Sequence, residues 1–474
     1  MTDAPFWAEP LTGQAARIAS GEVTAEAATE AALARIYAVN GDLNAVVEDC
    51  AEEARATAAA LDAQFASAGP VGPLHGVPVT IKINVDQKGY PNSNGVPALK
   101  GAIAPGDSPV VANLRKAGAV IVGRTNTPEF SFRADTDNPL YGRTFNPWDR
   151  EISAGGSSGG AGVAVMTGMC ALAHGNDIGG SLRFPAAAVG AATIKPGLGR
   201  IPVFNPGQTE ERGMLAQAMS TQGPLCRRAA DLRPALAAMI APDARDPFHA
   251  PIPFRGPPLE RPIRVAYSEE MFGFDLHPAF RSALRAARAA LEVAGYEVVE
   301  AAPRELAEGA RLGYRAILTE TQHMLGPAIE AHGSDTVRRI FASYHREFPL
   351  LNEAEFLRAL AKRTYYARIW SEFLDAHPLF LCPFLPGPFF AANRDAEGVE
   401  GVRDVLGVAL YSYIVNFIGL PSGVVSAGWA EGRPAAVQIV GRRWREDAII
   451  DALEVVERAA GAPDVELRRR MAAD

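Results

Sequence analysis

Two serines stand among glycines in residues 153–200, and this segment holds the residue types best suited to chemistry. Ser157 lies in the run GGSSGG, and Ser181 ends the run DIGGS. Glycine adopts backbone conformations closed to other residues and lets several N–H groups point into one cavity, which is how proteins hold an anion. The segment therefore predicts an anion cradle, for either a phosphate or a transient oxyanion.

The segment lacks the general nucleotide-binding motifs but fits one hydrolase motif. Nucleotide binding requires GxxxxGKS, GxxxxGKT or GxGxxG between a strand and a helix, and none of these patterns occurs here. Residues 155–159 do fit GxSxG, the nucleophile elbow of α/β-hydrolases, which would make Ser157 the nucleophile. An elbow also needs an acidic residue and then a histidine downstream.

No histidine of the sequence fits that role well. The downstream candidates lack a motif-like context and fall in a region patterned as outer helices: His323, His332, His345 and His377. His174 lies closer to the glycines, but a lone histidine beside a short apolar run is better explained as a packing residue.

A lysine amine offers another way to activate a serine. A hydroxyl is a poor nucleophile until a base removes its proton, and a neutral amine can do so where no imidazole is available. Lys82 lies near the end of a predicted strand at about Val77–Ile83, where its amine can be desolvated. Because a lysine with an unperturbed pKa near ~10.4 is charged at neutral pH, we expect a lowered pKa or an alkaline-leaning activity. Spacing alone leaves Lys195 open as the base and Ser158 open in place of Ser157.

Over most of its length the chain resembles the amidase signature family. The blocks GGSSGG, GNDIGGSLRFPAA and IKPGLGR are similar to the family's signature nearly position for position over residues 155–200. Upstream, HGVPVTIKINVD resembles the family's lysine strand, and GRTNTPEFSFRADTDNPLYGRTFNPWD resembles the linking segment, particularly that of fatty-acid amide hydrolases. Downstream, STQGPLCRRAADL and GRPAAVQIVGRRWRED also look like family elements, and the likeness is weakest over 240–400.

The resemblance implies a Ser-Ser-Lys triad. Ser181 would be the nucleophile, Ser157 the bridging serine after a cis peptide bond, and Lys82 the base. The oxyanion hole would consist of the backbone N–H groups of Ile178, Gly179, Gly180 and Ser181. Supporting roles would fall to Ser158, Asp177 and Arg183. Many members place an acid directly after the lysine, whereas Ile83 and Asn84 follow here, so the local support of Lys82 stays open.

The resemblance also implies hydrolysis of a carboxamide through an acyl-enzyme, with no cofactor and no metal. Esters, anilides and carbamates use the same machinery. The alternative is a glutaminase subunit of a tRNA-dependent amidotransferase that works with a partner chain. Candidate substrate contacts, each of which could equally be core, are Ser131, Phe132, Arg133, Tyr141, Phe389 and Phe390. We favour an aryl or medium-length acyl group over a small polar substrate.

Strand and helix patterns predict the scaffold that positions these residues. The strand Val77–Ile83, a helix over Pro109–Lys116 and the run AVIVG form one strand-helix-strand unit. RPIRVAYS, an amphipathic helix over Pro278–Ala294 and YEVVEA form a second, and AAVQIVG before a helix over Glu446–Ala460 adds a third step. This alternation predicts an α/β fold, a three-layer α/β/α sandwich around a mixed, largely parallel twisted sheet.

We expect a single domain over residues 1–474, with a catalytic core at 70–200. Residues 10–41 indicate two outer helices split at Ser20-Gly21, with Thr24 as an N-cap. Residues 300–375 are mostly helical in pattern, and 377–400 shows no clear periodicity. The region 300–400 is therefore predicted to cover the substrate pocket.

Composition excludes several classes of function. The formal charge of −8 comes from interspersed acids and bases without a basic stripe, which argues against nucleic acid as a ligand. The cysteines are far apart and lack a CxxC pair, so neither a zinc site nor a disulfide framework is indicated: Cys50, Cys170, Cys226 and Cys382. The apolar stretches are too short to span a membrane. The acidic, proline-containing start does not resemble a secretory signal, so we expect a cytoplasmic enzyme, with a homodimer as one assembly left open.

Overall fold

The computed structural model describes residues 5–472 and arranges the strands of that part in one 11-stranded sheet. In chain order the strands are β1 Val46–Asp49, β2 Pro78–Lys82, β3 Val120–Thr125, β4 Leu172–Asp177, β5 Ala192–Lys195, β6 Thr221–Cys226, β7 Arg264–Tyr267, β8 Glu297–Glu300, β9 Leu379–Pro383, β10 Ser422–Ala430 and β11 Arg433–Gly441. Across the sheet their order is β1-β3-β2-β4-β6-β5-β10-β11-β9-β7-β8. The first two predicted strand-helix-strand units therefore lie toward opposite ends of one sheet.

Helices cover both faces of this sheet. The α-helices of the described residues are α1 Leu11–Ala19, α2 Ala25–Leu43, α3 Ala51–Ala68, α4 Pro109–Lys116, α5 Gly159–Met166, α6 Arg183–Val189, α7 Met214–Met219, α8 Leu232–Met239, α9 Pro278–Val293, α10 Leu306–Met324, α11 Gly326–His332, α12 Asp335–Glu347, α13 Glu353–Ala376, α14 Gly398–Val402, α15 Leu410–Phe417, α16 Glu446–Ala460 and α17 Asp464–Met471. A Cβ at Gly423 of β10 would lie 2.4 Å from Leu453 of α16. Gln438 of β11, opposite the next residue of β10, faces the other way and accepts a hydrogen bond from Arg183 of α6. The predicted three-layer arrangement is confirmed.

The sheet is mixed, as predicted, but antiparallel pairing dominates its middle. β2 pairs in parallel with β3 and β4, and β7 pairs in parallel with β8 and β9. From β4 through β6, β5, β10 and β11 to β9, every neighbouring pair is antiparallel. The reason is partly local, since β10 and β11 form a hairpin whose turn residues Glu431 and Gly432 both have positive φ, as the favoured two-residue turn requires.

Several elements begin and end where local sequence signals place them. α4 begins at Pro109, whose fixed φ suits the first helical position, and it ends just before Gly118 with φ +88°. The Thr24 side chain accepts a hydrogen bond from the N–H of Ala27, so the predicted N-cap of α2 is confirmed. None of the described helices combines the length and the apolar character that crossing a bilayer requires.

Residues 377–400 contain a strand that periodicity did not reveal. β9, Leu379–Pro383, is fully buried along its length and lies between β11 and β7. A strand buried on both faces is apolar at every position, so it carries no alternating pattern. The helices before it follow the prediction for 300–375, and α10 approaches α15 closely at Gly313, where a Cβ would lie 2.4 Å from Phe417.

Candidate active site

The carboxyl ends of β2 and β4 bring the predicted site residues to one edge of the sheet. The two strands are parallel neighbours, and their last residues are Lys82 and Asp177. Ser157 lies just before α5, and Ser181 lies just before α6. In α/β sheets, chemistry is commonly found beyond strand ends and beside helix N-termini, and this edge has both features.

Lys82 is completely buried, and its amine has two hydrogen-bonding neighbours. Nζ lies 2.7 Å from Ser157 Oγ and 2.8 Å from Asn176 Oδ1. Burial lowers the pKa of Lys82 well below its usual value, and the charge of Asp177 offsets only part of that effect. The environment therefore favours a neutral amine beside a serine hydroxyl, which is the form that a base requires.

Ser157 sits in a tight backbone corner. The peptide bond between Gly156 and Ser157 is cis, so that expectation is confirmed. A Cβ at Gly156 would lie 2.5 Å from the carbonyl oxygen of Arg133, which explains why the corner needs glycine. Thr127 donates its hydroxyl hydrogen bond to the Ser157 carbonyl at 2.8 Å and anchors the corner to the segment after β3.

Ser181 lines the cavity above these residues and is partly exposed. The Ser158 N–H donates to the Ser181 carbonyl at 3.2 Å, so the two serine segments are tied through their backbones. Among the described residues, the Ser181 hydroxyl has no hydrogen-bond partner. The structure therefore connects Lys82 to Ser157 directly, whereas Ser157 and Ser181 share the wall of one cavity.

The predicted oxyanion hole is only partly available. Within residues 5–472, the N–H groups of Ile178, Gly179 and Ser181 have no protein acceptor. Gly180 differs from the other three predicted donors, since its N–H donates to Asp177 Oδ1 at 2.8 Å.

Asp177 stabilises the turn between β4 and α6, because its carboxylate accepts several hydrogen bonds. Its carboxylate also accepts from the Leu182 N–H at 3.1 Å and from Asn416 at 2.9 Å. It forms a completely buried ion pair with Arg183, and these partners, the Arg183 charge foremost, outweigh burial and lower the pKa of Asp177 to about 2. The hydrogen bonds agree with a supporting role for both residues, because neither lines the cavity and both shape the turn that carries Ser181.

The alternatives left open by spacing are placed elsewhere. Lys195 is buried and its amine donates to the Pro196 carbonyl at 2.9 Å, away from the cavity wall. The Ser158 hydroxyl donates to the Asn176 carbonyl at 3.3 Å, not to a lysine. His174 is also buried; it accepts from the Lys82 backbone N–H and contacts Gln222 at 2.8 Å, and burial lowers its pKa to about 4. That arrangement fits a neutral packing residue.

A cavity of about 660 Å³ opens above the two serines. Its apolar wall comes chiefly from one face of α10, with Tyr314, Ile317 and Leu318. Phe132 adds to this wall, stacked on Tyr344 of α12 with 4.7 Å between ring centroids. Polar side chains line the part next to Lys82 and Ser157: Asn84, Asn94, Ser131 and Asn176.

Three of the six predicted substrate contacts line the cavity, and the other three lie outside its wall. Ser131 and Phe132 line the cavity, and so does part of Arg133, whose guanidinium is committed to Asp395. Tyr141 does not line the cavity. Its hydroxyl reaches Glu48 at 2.9 Å and Ser93 at 3.1 Å because the chain has turned away from the site by that point. Phe389 and Phe390 also lie outside the cavity wall, packed against each other and the core.

The sequence interpretation missed two amides beside the lysine. Asn176 directly precedes Asp177 in GNDIGG and supplies an acceptor to the Lys82 amine. Asn84 is the departure noted after the lysine, and it pairs with Asn176 side chain to side chain, with Asn176 Nδ2 2.8 Å from Asn84 Oδ1. The only available signal was polarity at strand ends, which does not say which amide meets which amine.

The described part of the chain contains neither a cluster of metal-ligand side chains nor a disulfide bond. No group of three or more histidine, cysteine, aspartate or glutamate side chains there is placed to hold a metal ion. The four cysteines are free and buried, and burial raises the pKa of the Cys170 thiol to about 11.

Most of the chain is similar to known amide-hydrolysing proteins. A family model described as Amidase matches residues 27–450. An indoleacetamide hydrolase of Bradyrhizobium diazoefficiens is 45% identical, with 96% of this chain and 87% of that protein covered. A glutamyl-tRNA(Gln) amidotransferase subunit from Heliobacterium modesticaldum is 29% identical, with 93% and 94% covered. The solved structure of a bacterial aryl acylamidase of the amidase signature family has a TM-score of 0.82 at 25% identity, with 98% and 99% covered.

Proposed function

The chain belongs to the amidase signature family, and from that premise we propose that it hydrolyses the primary amide of an arylacetic acid, such as indole-3-acetamide, through an acyl-enzyme on Ser181. Amide hydrolysis follows from the membership and from 45% identity to an indoleacetamide hydrolase. The roles of individual residues and the choice of acyl group are inferred from the site. The 2.7 Å contact between Lys82 Nζ and Ser157 Oγ in a fully buried setting carries this inference.

The first step activates the nucleophile. Neutral Lys82 takes the hydroxyl proton of Ser157, which takes the hydroxyl proton of Ser181, and Ser181 Oγ attacks the amide carbon. The new C–O bond turns the carbonyl into an oxyanion. The free N–H groups of Ile178, Gly179 and Ser181 are suited to meet that charge, and one such donor typically contributes about 2.7–4 kcal/mol.

The second step releases the amine. The proton on Lys82 returns through Ser157 to the amide nitrogen, the C–N bond breaks, and ammonia departs from a primary amide. Water then attacks the ester of Ser181, giving up its proton along the same route, and the carboxylic acid leaves with Ser181 restored. One base thus serves both halves of the reaction.

The cavity favours an aromatic acyl group with a small leaving amine. Its volume of about 660 Å³ falls within the roughly 300–1,000 Å³ of small-molecule sites. The α10 face and Phe132 offer an apolar wall to a ring. Polar groups such as Asn84 and Ser131 line the part of the cavity beside Asn176, the neighbour of the Lys82 amine, and suit the side from which ammonia departs.

A substrate comparison with purified enzyme tests this proposal. Ammonia release would be measured from indole-3-acetamide, hexanamide, acetamide and glutamine at matched concentrations. We expect kcat/KM to be highest for indole-3-acetamide, with glutamine turned over least. A preference for glutamine would instead support the glutaminase alternative, and equal rates on all four amides would contradict the aryl assignment.

A further inference from the structure

We propose that Asn176, held by Asn84 and Ser131, is a positioning residue that directs the lone pair of the Lys82 amine at Ser157 without placing a negative charge beside it. This inference rests on the proposed function, because it assigns the support of the base in that mechanism. Because Ile83 and not an acid follows Lys82, the support of this lysine was left open by the sequence, and Asn176 would supply that support.

The hydrogen bonds around Lys82 Nζ fix its orientation. A neutral amine has two N–H bonds and one lone pair. One N–H bond is taken by Asn176 Oδ1 at 2.8 Å. The remaining close contact of the amine, at 2.7 Å, is the Ser157 hydroxyl, which can donate its proton to the lone pair. Holding one N–H bond therefore limits where the lone pair can point.

Asn176 is itself held in one orientation. Its Nδ2 donates to Asn84 Oδ1 at 2.8 Å, so its Oδ1 must face Lys82. Asn84 Nδ2 lies 2.8 Å from Ser131 Oγ and 3.3 Å from Asn176 Oδ1, which fixes the second amide as well. A flip of either amide would bring two donors or two acceptors together.

Ser131 anchors this network to the cavity wall. Its hydroxyl donates to Asn94 at 2.6 Å and lies 2.9 Å from the Thr127 hydroxyl. Its φ is +56°, a left-handed conformation that is uncommon for residues other than glycine and that persists where the surroundings determine it. Thr127 in turn holds the Ser157 carbonyl, so the network returns to the bridging serine.

The ionisable groups around Lys82 come from two neighbouring strands, and within residues 5–472 none of them forms an ion pair with it. From β4, Asp177 is committed to Arg183, and His174 is buried between the Lys82 backbone and Gln222. From β3, Arg124 donates to backbone carbonyls around β2. Placing an amide rather than a carboxylate at 176 therefore gives the amine an acceptor without a negative charge that would hold its proton.

The isosteric substitution Asn176→Asp tests this role. We would measure the rate of fluorophosphonate modification against pH in the full-length enzyme, which reports on nucleophile activation without assuming a substrate. A carboxylate beside Lys82 should move the rising limb of that profile to higher pH by about 1–3 units. Asn352→Asp is the matched control, because Asn352 caps α13 outside the cavity and aspartate suits the same capping position, so its limb should stay near the wild-type position.

Asn84→Ala provides an independent variant if Asn176→Asp fails to fold. It retains Asn176 but frees its amide to rotate, so modification should slow by about 10-fold to 100-fold with the limb unmoved. An unshifted limb in Asn176→Asp, an equal shift in Asn352→Asp, or a wild-type rate in Asn84→Ala would overturn the inference. Absence of modification in the wild-type enzyme would instead overturn the proposed function, and this inference with it.

Discussion

The amine of Lys82 lies 2.7 Å from the hydroxyl oxygen of Ser157, and the lysine side chain is fully buried. An ammonium would find only a hydroxyl and one amide oxygen as partners there. Since a buried charge is costly unless it is paired, the neutral amine is the favoured form. In the proposed mechanism this contact makes Lys82 the base and Ser157 the proton carrier.

Removing the amine should remove catalysis. We expect Lys82→Met to lower kcat for indole-3-acetamide by about 10²-fold to 10⁴-fold, the range typical of general bases. Lys195→Met is the matched control, because that amine is buried outside the cavity wall. Steady-state ammonia release measures both variants. A loss in Lys195→Met alone would assign the base to the other lysine.

The same substitution should stabilise the protein at neutral pH. Burial lowers the pKa of Lys82, so between that value and 10.5 the unfolded chain binds more protons than the folded one. The contribution of Lys82 to the free energy of unfolding of the wild type therefore rises as the pH increases from the folded-state pKa to 10.5. The free energy of unfolding of Lys82→Met should exceed that of wild type most at neutral pH and approach it near pH 10.5, as urea titrations at several pH values would measure. A difference that does not vary with pH would argue against a neutral lysine.

Two neighbouring glycines should respond differently to alanine. A Cβ at Gly180, which has φ +126°, would lie 2.5 Å from Phe184, so Gly180→Ala should lower stability by about 1–3 kcal/mol. The nearest neighbours of a Cβ at Gly179 would be Tyr314 and Tyr413, both at the ordinary contact distance of 3.8 Å, so Gly179→Ala should fold normally and alter turnover instead. Thermal unfolding and kcat measured side by side would separate the two effects. Equal destabilisation would contradict the described turn.

Asp177 should matter for stability in a pH-dependent way. Asp177→Asn leaves the buried Arg183 without its ion-pair partner, which typically costs about 3–5 kcal/mol. Because its folded pKa is lowered to about 2, Asp177 contributes its full stability above the unfolded value and loses it as pH falls toward 2. The deficit of the variant should therefore shrink in acid, as denaturant titrations at pH 7 and pH 3 would measure.

Phe132 should select aromatic substrates. Its ring lies on the cavity wall against Tyr344, so Phe132→Ala should lower kcat/KM for indole-3-acetamide by about 10-fold and leave acetamide nearly unaffected. Tyr141→Phe provides the control, because Tyr141 lies outside the cavity. If acetamide and indole-3-acetamide lose activity equally, Phe132 acts through the fold and not through the acyl group.

Local signals predicted much of the scaffold. Proline at a helix start, glycine after a helix end and a threonine N-cap act within a few residues, and α2 and α4 follow them. β9 lacked such a signal because it is buried on both faces and uniformly apolar. The sequence pattern also could not predict whether two strands pair in parallel or antiparallel, because paired strands such as β5 and β10 are far apart in the sequence.

The site was predictable where glycines and short spacing constrain it. The runs around Ser157 and Ser181 marked the two turns, and the structure shows the cis bond expected before Ser157. The hydrogen-bond partner of each polar group could not be predicted. The partners of the Gly180 N–H group, of Asn176 and of Tyr141 are distant in sequence or set by a turn, and only folding brings them into contact. The sequence therefore could not show that the Gly180 N–H group bonds to Asp177 while those of Ile178, Gly179 and Ser181 have no protein acceptor within residues 5–472.

Mapping the site of fluorophosphonate attachment in the wild-type enzyme tests the central claim most directly. The enzyme would be modified at mildly alkaline pH, digested and analysed by mass spectrometry. A phosphonyl adduct on Ser181, absent from Ser157, is the result this account predicts. An adduct on Ser157 would contradict it, because the serine beside Lys82 would then be the nucleophile and not the proton carrier.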